Sequence, residues 1–97
     1  MRVISRKALR DFWQEEIEAE QELKAWFAEA ENADWKTPMD VKAKYGNASI
    51  LREGRVVFNI CGNKYRLVVK INYEVHTIYI RFVNTHEEYD KIDAQTI

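Results

Sequence analysis

The 97-residue sequence has a single cysteine, Cys61, and therefore neither an internal disulfide nor paired thiols for a zinc site. That usage fits a reducing compartment, and nothing in the sequence calls for a metal or another cofactor. Long apolar runs are also missing. Met1 is followed by Arg2-Val3-Ile4 and then by a charged segment, which leaves no apolar stretch of about 7–15 residues for a signal peptide and none of about 18 for a membrane helix. A cytoplasmic protein without membrane association is expected. There is no long linker and no internal repeat, so residues 1–97 read as one domain. Net charge is close to absent as well: the formal value of −1 does not by itself point to a polyanionic partner.

Apolar residues make up 46% of the chain, and three of its aromatics are Trp, enough for one modest core and too much for disorder. The small net charge hides a split. Residues 1–34 balance at −4 and residues 35–97 at +3, so a nucleic-acid surface is to be sought in the second part.

Val3 and Ile4 predict a short opening strand. Ser5 then stands at the N-cap of a helix carrying Leu9, Phe12, Trp13 and Ile17 at helical spacing. Leu23, Trp26, Phe27 and Ala30 repeat the spacing, but Glu16 and Glu20 interrupt the stripe, which predicts two helices with a break near Glu18. Asn32–Lys36 reads as a connection. Thr37-Pro38 places a capping hydroxyl before a proline at the first helical position, and Gly46-Asn47 closes a short helix that ends near Tyr45. From Ala48 the pattern changes to hairpins, with apolar runs at Ile50-Leu51, Arg55–Ile60, Tyr65–Tyr73 and Thr77–Asn84 separated by Gly54, by Gly62-Asn63 and by a turn near Glu74-Val75-His76. The fold class is α+β: helices first, then a mostly antiparallel sheet of three or four strands.

Period 2 puts Leu67, Val69, Ile71 and Tyr73 on one face and Arg66, Val68, Lys70 and Asn72 on the other. Ile78, Ile80 and Phe82 likewise form an apolar set opposite Tyr79, Arg81 and Val83. With the apolar sets under the helices, Arg66, Lys70 and Arg81 share an open, basic face.

The densest chemical signal follows the last strand. In Thr85-His86-Glu87-Glu88-Tyr89-Asp90, Thr85 and Glu88 fit a capping box that starts a short helix, with His86 in its first turn and Tyr89 three residues on along the same face. Free N–H groups and partial positive charge at a helix start favour an anion there. Cleaving RNA without a metal requires activating a 2′-hydroxyl, stabilising a phosphorane-like transition state and protonating the leaving oxygen. Arg, His and Tyr suit these tasks, and a positioned acid or base is worth roughly 10²–10⁴-fold in rate. Arg66, Arg81, His86 and Tyr89 are the candidate catalytic residues, with Asn63, Lys64 and Lys70 as candidate RNA contacts. Each has a bland alternative: His86 as a capping-turn residue, Tyr89 as packing at the sheet edge, the arginines as solvated sheet residues and Lys64 as a polar turn residue. His76 reads as a loop residue, and the acidic run Glu15–Glu22 as a solvated helix face. Trp13, Trp26, Phe27 and Trp35 read as core.

Two motifs, Phe-Asn-x-x-Gly-Asn-x-x-Arg at residues 58–66 and Thr-His-x-Glu-Tyr-Asp at residues 85–90, together with the opening Arg2-Val3-Ile4-Ser5 and Lys7-Ala8-Leu9, resemble the HigB toxin family across essentially the whole chain. The resemblance implies a RelE-like fold and an endoribonuclease acting on mRNA, usually in the ribosome. It also implies neutralisation by a HigA-like antitoxin with a helix-turn-helix domain. Carried over to this chain, it suggests Arg66 and Arg81 as phosphate and transition-state contacts, His86 as acid or base and Tyr89 as a second proton-transfer or positioning group, with Asn63 and Lys64 behind them. Which group is base and which acid stays open. The same basic face would also serve a non-catalytic RNA- or ribosome-binding module, and the helical half would serve a protein-interaction subunit; loss of cleavage with binding retained separates the enzyme from the module.

Overall fold

The computed structural model describes all 97 residues. In chain order it contains β1 (Arg2–Ile4), α1 (Arg6–Glu15), a 3-10 turn (Ile17–Ala19), α2 (Glu20–Asn32), α3 (Pro38–Lys44), β2 (Ser49–Ile50), β3 (Arg55–Ile60), β4 (Tyr65–Asn72), β5 (Thr77–Thr85) and α4 (His86–Tyr89). The strands form a five-stranded sheet in the order β1-β5-β4-β3-β2, antiparallel except for β1 beside β5. The fold is α+β, as the residue pattern predicts, and the opening strand joins the sheet as a parallel edge.

The predicted break between the first two helices is present. Glu16 leaves the helical region at φ −113°, ψ 81°, while its N–H still reaches the Phe12 carbonyl at 2.9 Å. Ile17, expected in the first apolar stripe, therefore falls beyond the helix and is 72% exposed. Ser5 stands at the first N-cap in an extended conformation, but its hydroxyl makes no capping bond. Thr37 makes the full reciprocal box with Asp40 ahead of Pro38, a cap worth about 1 kcal/mol.

Helices and sheet enclose one main core. Leu9, Trp13, Leu23, Trp26 and Ala30 from α1 and α2 meet Phe58, Tyr65, Leu67, Val69 and Ile78 from one face of the sheet. Trp26 lies edge-on to Phe58 at 5.3 Å, and Trp35 joins the same cluster. Gly54 is needed where β2 turns into β3: its φ is +77°, and a Cβ there would collide with the Ile71 carbonyl oxygen.

Two expectations about the other face are corrected. First, β5 does not alternate throughout. Val69 pairs with Ile80 and Val68 with Phe82, so Arg81 is the unpaired residue of a bulge. The extra residue reverses the phase, which puts Val83 against the main core and Phe82 on the outer face. Second, the outer face is not open. Residues after α4 fold back over it, and Val57, Val68 and Ala94 are buried there with Phe82, Tyr89, Ile92 and Ile97 around them. Arg55 secures the far end by donating from Nε and Nη2 to the Ile97 carbonyl oxygen, both at 3.1 Å.

Candidate active site

The β3–β4 turn, residues 61–64, is clamped from the helical side. Cys61 and Gly62 both have positive φ, 54° and 67°, and Lys64 N–H closes the turn onto the Cys61 carbonyl at 3.2 Å. A non-glycine residue in that conformation carries strain. Here the Cys61 N–H is directed at the Glu22 carboxylate, 2.6 Å away. Glu18 pairs with Lys64, and Glu16 accepts from the Tyr65 hydroxyl at 3.0 Å. The acidic run read as a solvated helix face is thus in part a brace for this turn, because the helix break at Glu16 aims its carboxylates at the hairpin. Burial first, and then the Glu22 and Glu18 charges, push the Cys61 thiol up, away from a reactive thiolate. The hydrogen bond to Glu18 raises the Lys64 ammonium, so this candidate RNA contact is already committed to a carboxylate.

Asn63 and Arg66 form the next layer. The Arg66 guanidinium donates through Nη1 to the Asn63 carbonyl at 3.1 Å and the Tyr65 carbonyl at 3.3 Å, and through Nη2 to Asn63 Oδ1 at 2.5 Å. Its carbon lies 5.7 Å from the centre of the Tyr89 ring, a cation–π arrangement. Tyr89 is in turn tilted against Phe82 at 6.4 Å. Asn63 therefore acts here as the holder of Arg66.

Register brings the two motifs together. Tyr65 pairs with Thr85 and Arg66 with Asn84, so the start of β4 lies beside the end of β5, where α4 begins. The His86 N–H donates to the Lys64 carbonyl at 2.9 Å, tying α4 to the turn. His86 Nδ1 is 3.2 Å from Asp90 Oδ2, and Nε2 makes no hydrogen bond within the chain. Lys64, Thr85, His86 and Glu87 line a depression of about 370 Å³.

The expected capping box at Thr85 is only half formed. Thr85 Oγ1 accepts from Glu88 N–H at 3.2 Å, but the Thr85 N–H is taken by Asn84 Oδ1 at 2.8 Å, and the Glu88 carboxylate binds Lys91. The anion cradle expected at this helix start is weakened accordingly. The His86 and Glu88 N–H groups are both used within the protein, the helix is one turn long, and Glu87 and Glu88 bring negative charge to it.

Of the seven residues singled out, Asn63, Lys64, Arg66, His86 and Tyr89 are brought together. Lys70 and Arg81 are not. Lys70 lies four residues beyond Arg66 on β4, about 13 Å along the strand, opposite Tyr79 and Arg55. Arg81 sits at the bulge near Val68, and the tail runs over the outer face between these positions and Arg66. Asp90 joins the site unannounced by any motif role, although its place four residues after His86 on a helix predicts contact. Glu18 and Glu22 are invisible as braces in the local pattern, since their partners are about 40 residues away.

What assembles at the end of β5 is a fixed guanidinium over the face of a phenol, and near them an imidazole oriented by a carboxylate. Such a set can neutralise a phosphate and exchange protons with it. Residues 19–92 match the family described as HigB_toxin, RelE-like toxic component of a toxin–antitoxin system. The chain is 33% identical over 96 residues to the mRNA interferase toxin HigB of Escherichia coli strain K12, an alignment covering 97% of this chain and 92% of that protein. The mRNA interferases HigB of Escherichia coli O157:H7 and Shigella flexneri match at the same identity over the same span.

Proposed function

The chain belongs to the HigB toxin family of RelE-like toxins, and from that premise we propose that it cleaves mRNA on the ribosome, without a metal, by attack of a 2′-hydroxyl on the adjacent phosphate. It is an endoribonuclease, and as the toxic component of a toxin–antitoxin system it has an antitoxin partner. A HigA-like antitoxin with a helix-turn-helix domain and a cytoplasmic location complete the reading; no helix is long and apolar enough to cross a membrane.

The observation that carries the reading is the braced Arg66 beside α4. Its two Nη groups are held by Asn63 and the Tyr65 carbonyl and its guanidinium carbon lies over the Tyr89 ring, so little side-chain freedom is lost when phosphate binds. The charge of a phosphorane-like transition state then meets a preorganised cation, the kind of contact whose loss costs about 10²–10³-fold in rate. Asp90 on Nδ1 holds the His86 ring with Nε2 directed away from the carboxylate, free to take or give a proton. Tyr89, whose hydroxyl has no hydrogen bond within the chain, is the second proton-transfer group.

Induced expression of the wild type is expected to arrest growth and to create new mRNA 5′ ends in primer extension, with cleavage unchanged by EDTA. A His86→Ala Arg66→Ala protein with wild-type circular dichroism is expected to do neither. Normal cleavage by that variant would overturn the assignment of the site.

A further inference from the structure

Resting on the ribonuclease reading, we propose that the corner of the outer face formed by Tyr79, Lys70 and Arg81 is a second subsite, separate from the Arg66–His86 site, that takes a flanking nucleotide of the single-stranded substrate by stacking its base on Tyr79.

Three observations meet there. Tyr79, at 37% exposure, is the one tyrosine of the five classed as exposed; the others are buried or half-buried in the two cores or against Arg66. It stands directly opposite Lys70 on β4 and beside Ile4 of β1, whose side chain is also exposed. The tail that covers the middle of the outer face leaves this corner free, because it crosses from α4 over Val68 and Val57 toward Arg55 and so runs away from β1.

Charge is the second ground. Lys64 is neutralised by Glu18, Lys44 by Glu29 and Lys91 by Glu88, whereas the side chains of Lys70, Arg81 and the neighbouring Arg2 take part in no ion pair or hydrogen bond. Unpaired cations beside an exposed aromatic ring form the combination used to hold single-stranded nucleic acid: the ring receives a base of any identity, and the cations receive the backbone. The third ground is spacing. Lys70 lies about 13 Å along β4 from Arg66 with the tail between them, so a strand whose scissile phosphate is at Arg66 passes over the tail and reaches the corner within several phosphates, at a strand spacing of at least about 3.4 Å. Arg81, exposed at the bulge two residues beyond Tyr79, adds a further cation on β5.

The test uses the full chain and a fluorescent single-stranded RNA of twelve nucleotides, 2′-O-methylated so that it cannot be cut, with affinity read by anisotropy. Cleavage of the matching unmodified RNA, free and as a ribosome-bound message, is followed in parallel. Tyr79→Ala is expected to weaken binding about five-fold or more, Tyr79→Phe to restore it, and Lys70→Ala to lower both the affinity and the salt slope, the latter by about 0.7. A dinucleotide spanning only the scissile bond should bind wild type and Tyr79→Ala alike, which a general folding defect would not produce. Equal affinities of wild type and Tyr79→Ala for the long RNA overturn the subsite, as does an effect of Tyr79→Ala confined to ribosome-bound cleavage, which would make ribosomal RNA or protein the occupant. An absence of measurable binding by the wild type counts against the subsite too. RNA held through Tyr79 but never cut by the wild type would sink the ribonuclease reading and leave the subsite standing.

Discussion

The two faces of the sheet are built to different plans. The inner face is apolar from Val56 to Ile78 and lies under α1 and α2, with Trp35, Val41 of α3 and Tyr45 completing the cover. The outer face has three bands: Asn59 and Arg66 at one end, an apolar stripe of Val57, Val68 and Phe82 under the tail, and Arg55, Lys70 and Tyr79 at the other. A domain of 97 residues has material for one thick core. The eight residues that follow α4 suffice to keep water from the central stripe of the second face, and in the polar bands on either side Arg55 alone is buried, where it holds the end of the tail. Chemistry and ligand contacts fall to those bands. Disturbing the inner face should therefore cost stability, and disturbing the outer bands should cost activity.

The largest effect expected is on the inner face. Trp26→Ala removes a side chain that is fully buried and set edge-on to Phe58, and should lower unfolding free energy by about 3–5 kcal/mol in urea titrations. Val68→Ala, also at a fully buried position but under the tail, removes two methyl-sized groups and should cost only about 1–2 kcal/mol. Equal losses would mean that the tail-covered patch is as much a core as the helix-covered one, and the comparison would fail.

How far the sequence reveals these two faces can be judged residue by residue. Leu67, Val69 and Ile71 alternate without interruption, and the inner face of β4 follows from them directly. On β5 the same rule holds through Ile80 and then fails, because the bulge at Arg81 adds one residue that no hydrophobic period announces. The tail is hidden for another reason. Ile92, Ala94 and Ile97 follow no single period, and their burial depends on the distant Val57 and Val68 and, for Ile97, on where the Arg55 guanidinium stands in space. In the site, motif spacing makes His86 and Tyr89 legible and the start of β4 makes Arg66 so. The bracing by Glu16, Glu18 and Glu22 is a long-range contact, invisible to local patterns, and a run of acidic residues on a helix is most simply read as solvated.

A smaller effect sharpens the view of that brace. Tyr65 is fully buried, and its hydroxyl donates to Glu16. Burial, and after it the Glu16 hydrogen bond, raise the phenol above its ordinary value. A raised folded-state value means that the contribution of this group to stability is complete below the unfolded tyrosine pKa of about 10 and is lost as pH rises through the folded value. Tyr65→Phe should cost about 1 kcal/mol at neutral pH and should show a shallower loss of stability above pH 10 than the wild type in alkaline denaturation series. The same alkaline slope in both proteins would show that Tyr65 is not held neutral by its surroundings.

The smallest effect tests the brace at its most local point. The Glu22 carboxylate sits 2.6 Å from the Cys61 N–H and is, after burial, the largest influence keeping the Cys61 thiol protonated. Glu22→Gln keeps an acceptor for that N–H but removes the charge, so the turn should persist while the thiol ionises more readily. Reaction of the single cysteine with a disulfide reagent, followed across pH, should shift to lower pH in the variant. Cleavage should be little changed, because Asn63 still holds Arg66 from the same turn. A reactivity profile identical to the wild type would mean that the carboxylate does not rest on the turn in solution. A shifted profile with cleavage also lost would mean that the charge of Glu22, and not only its hydrogen bond, sets the position of Arg66, and the helical side would then share in the work of the outer face.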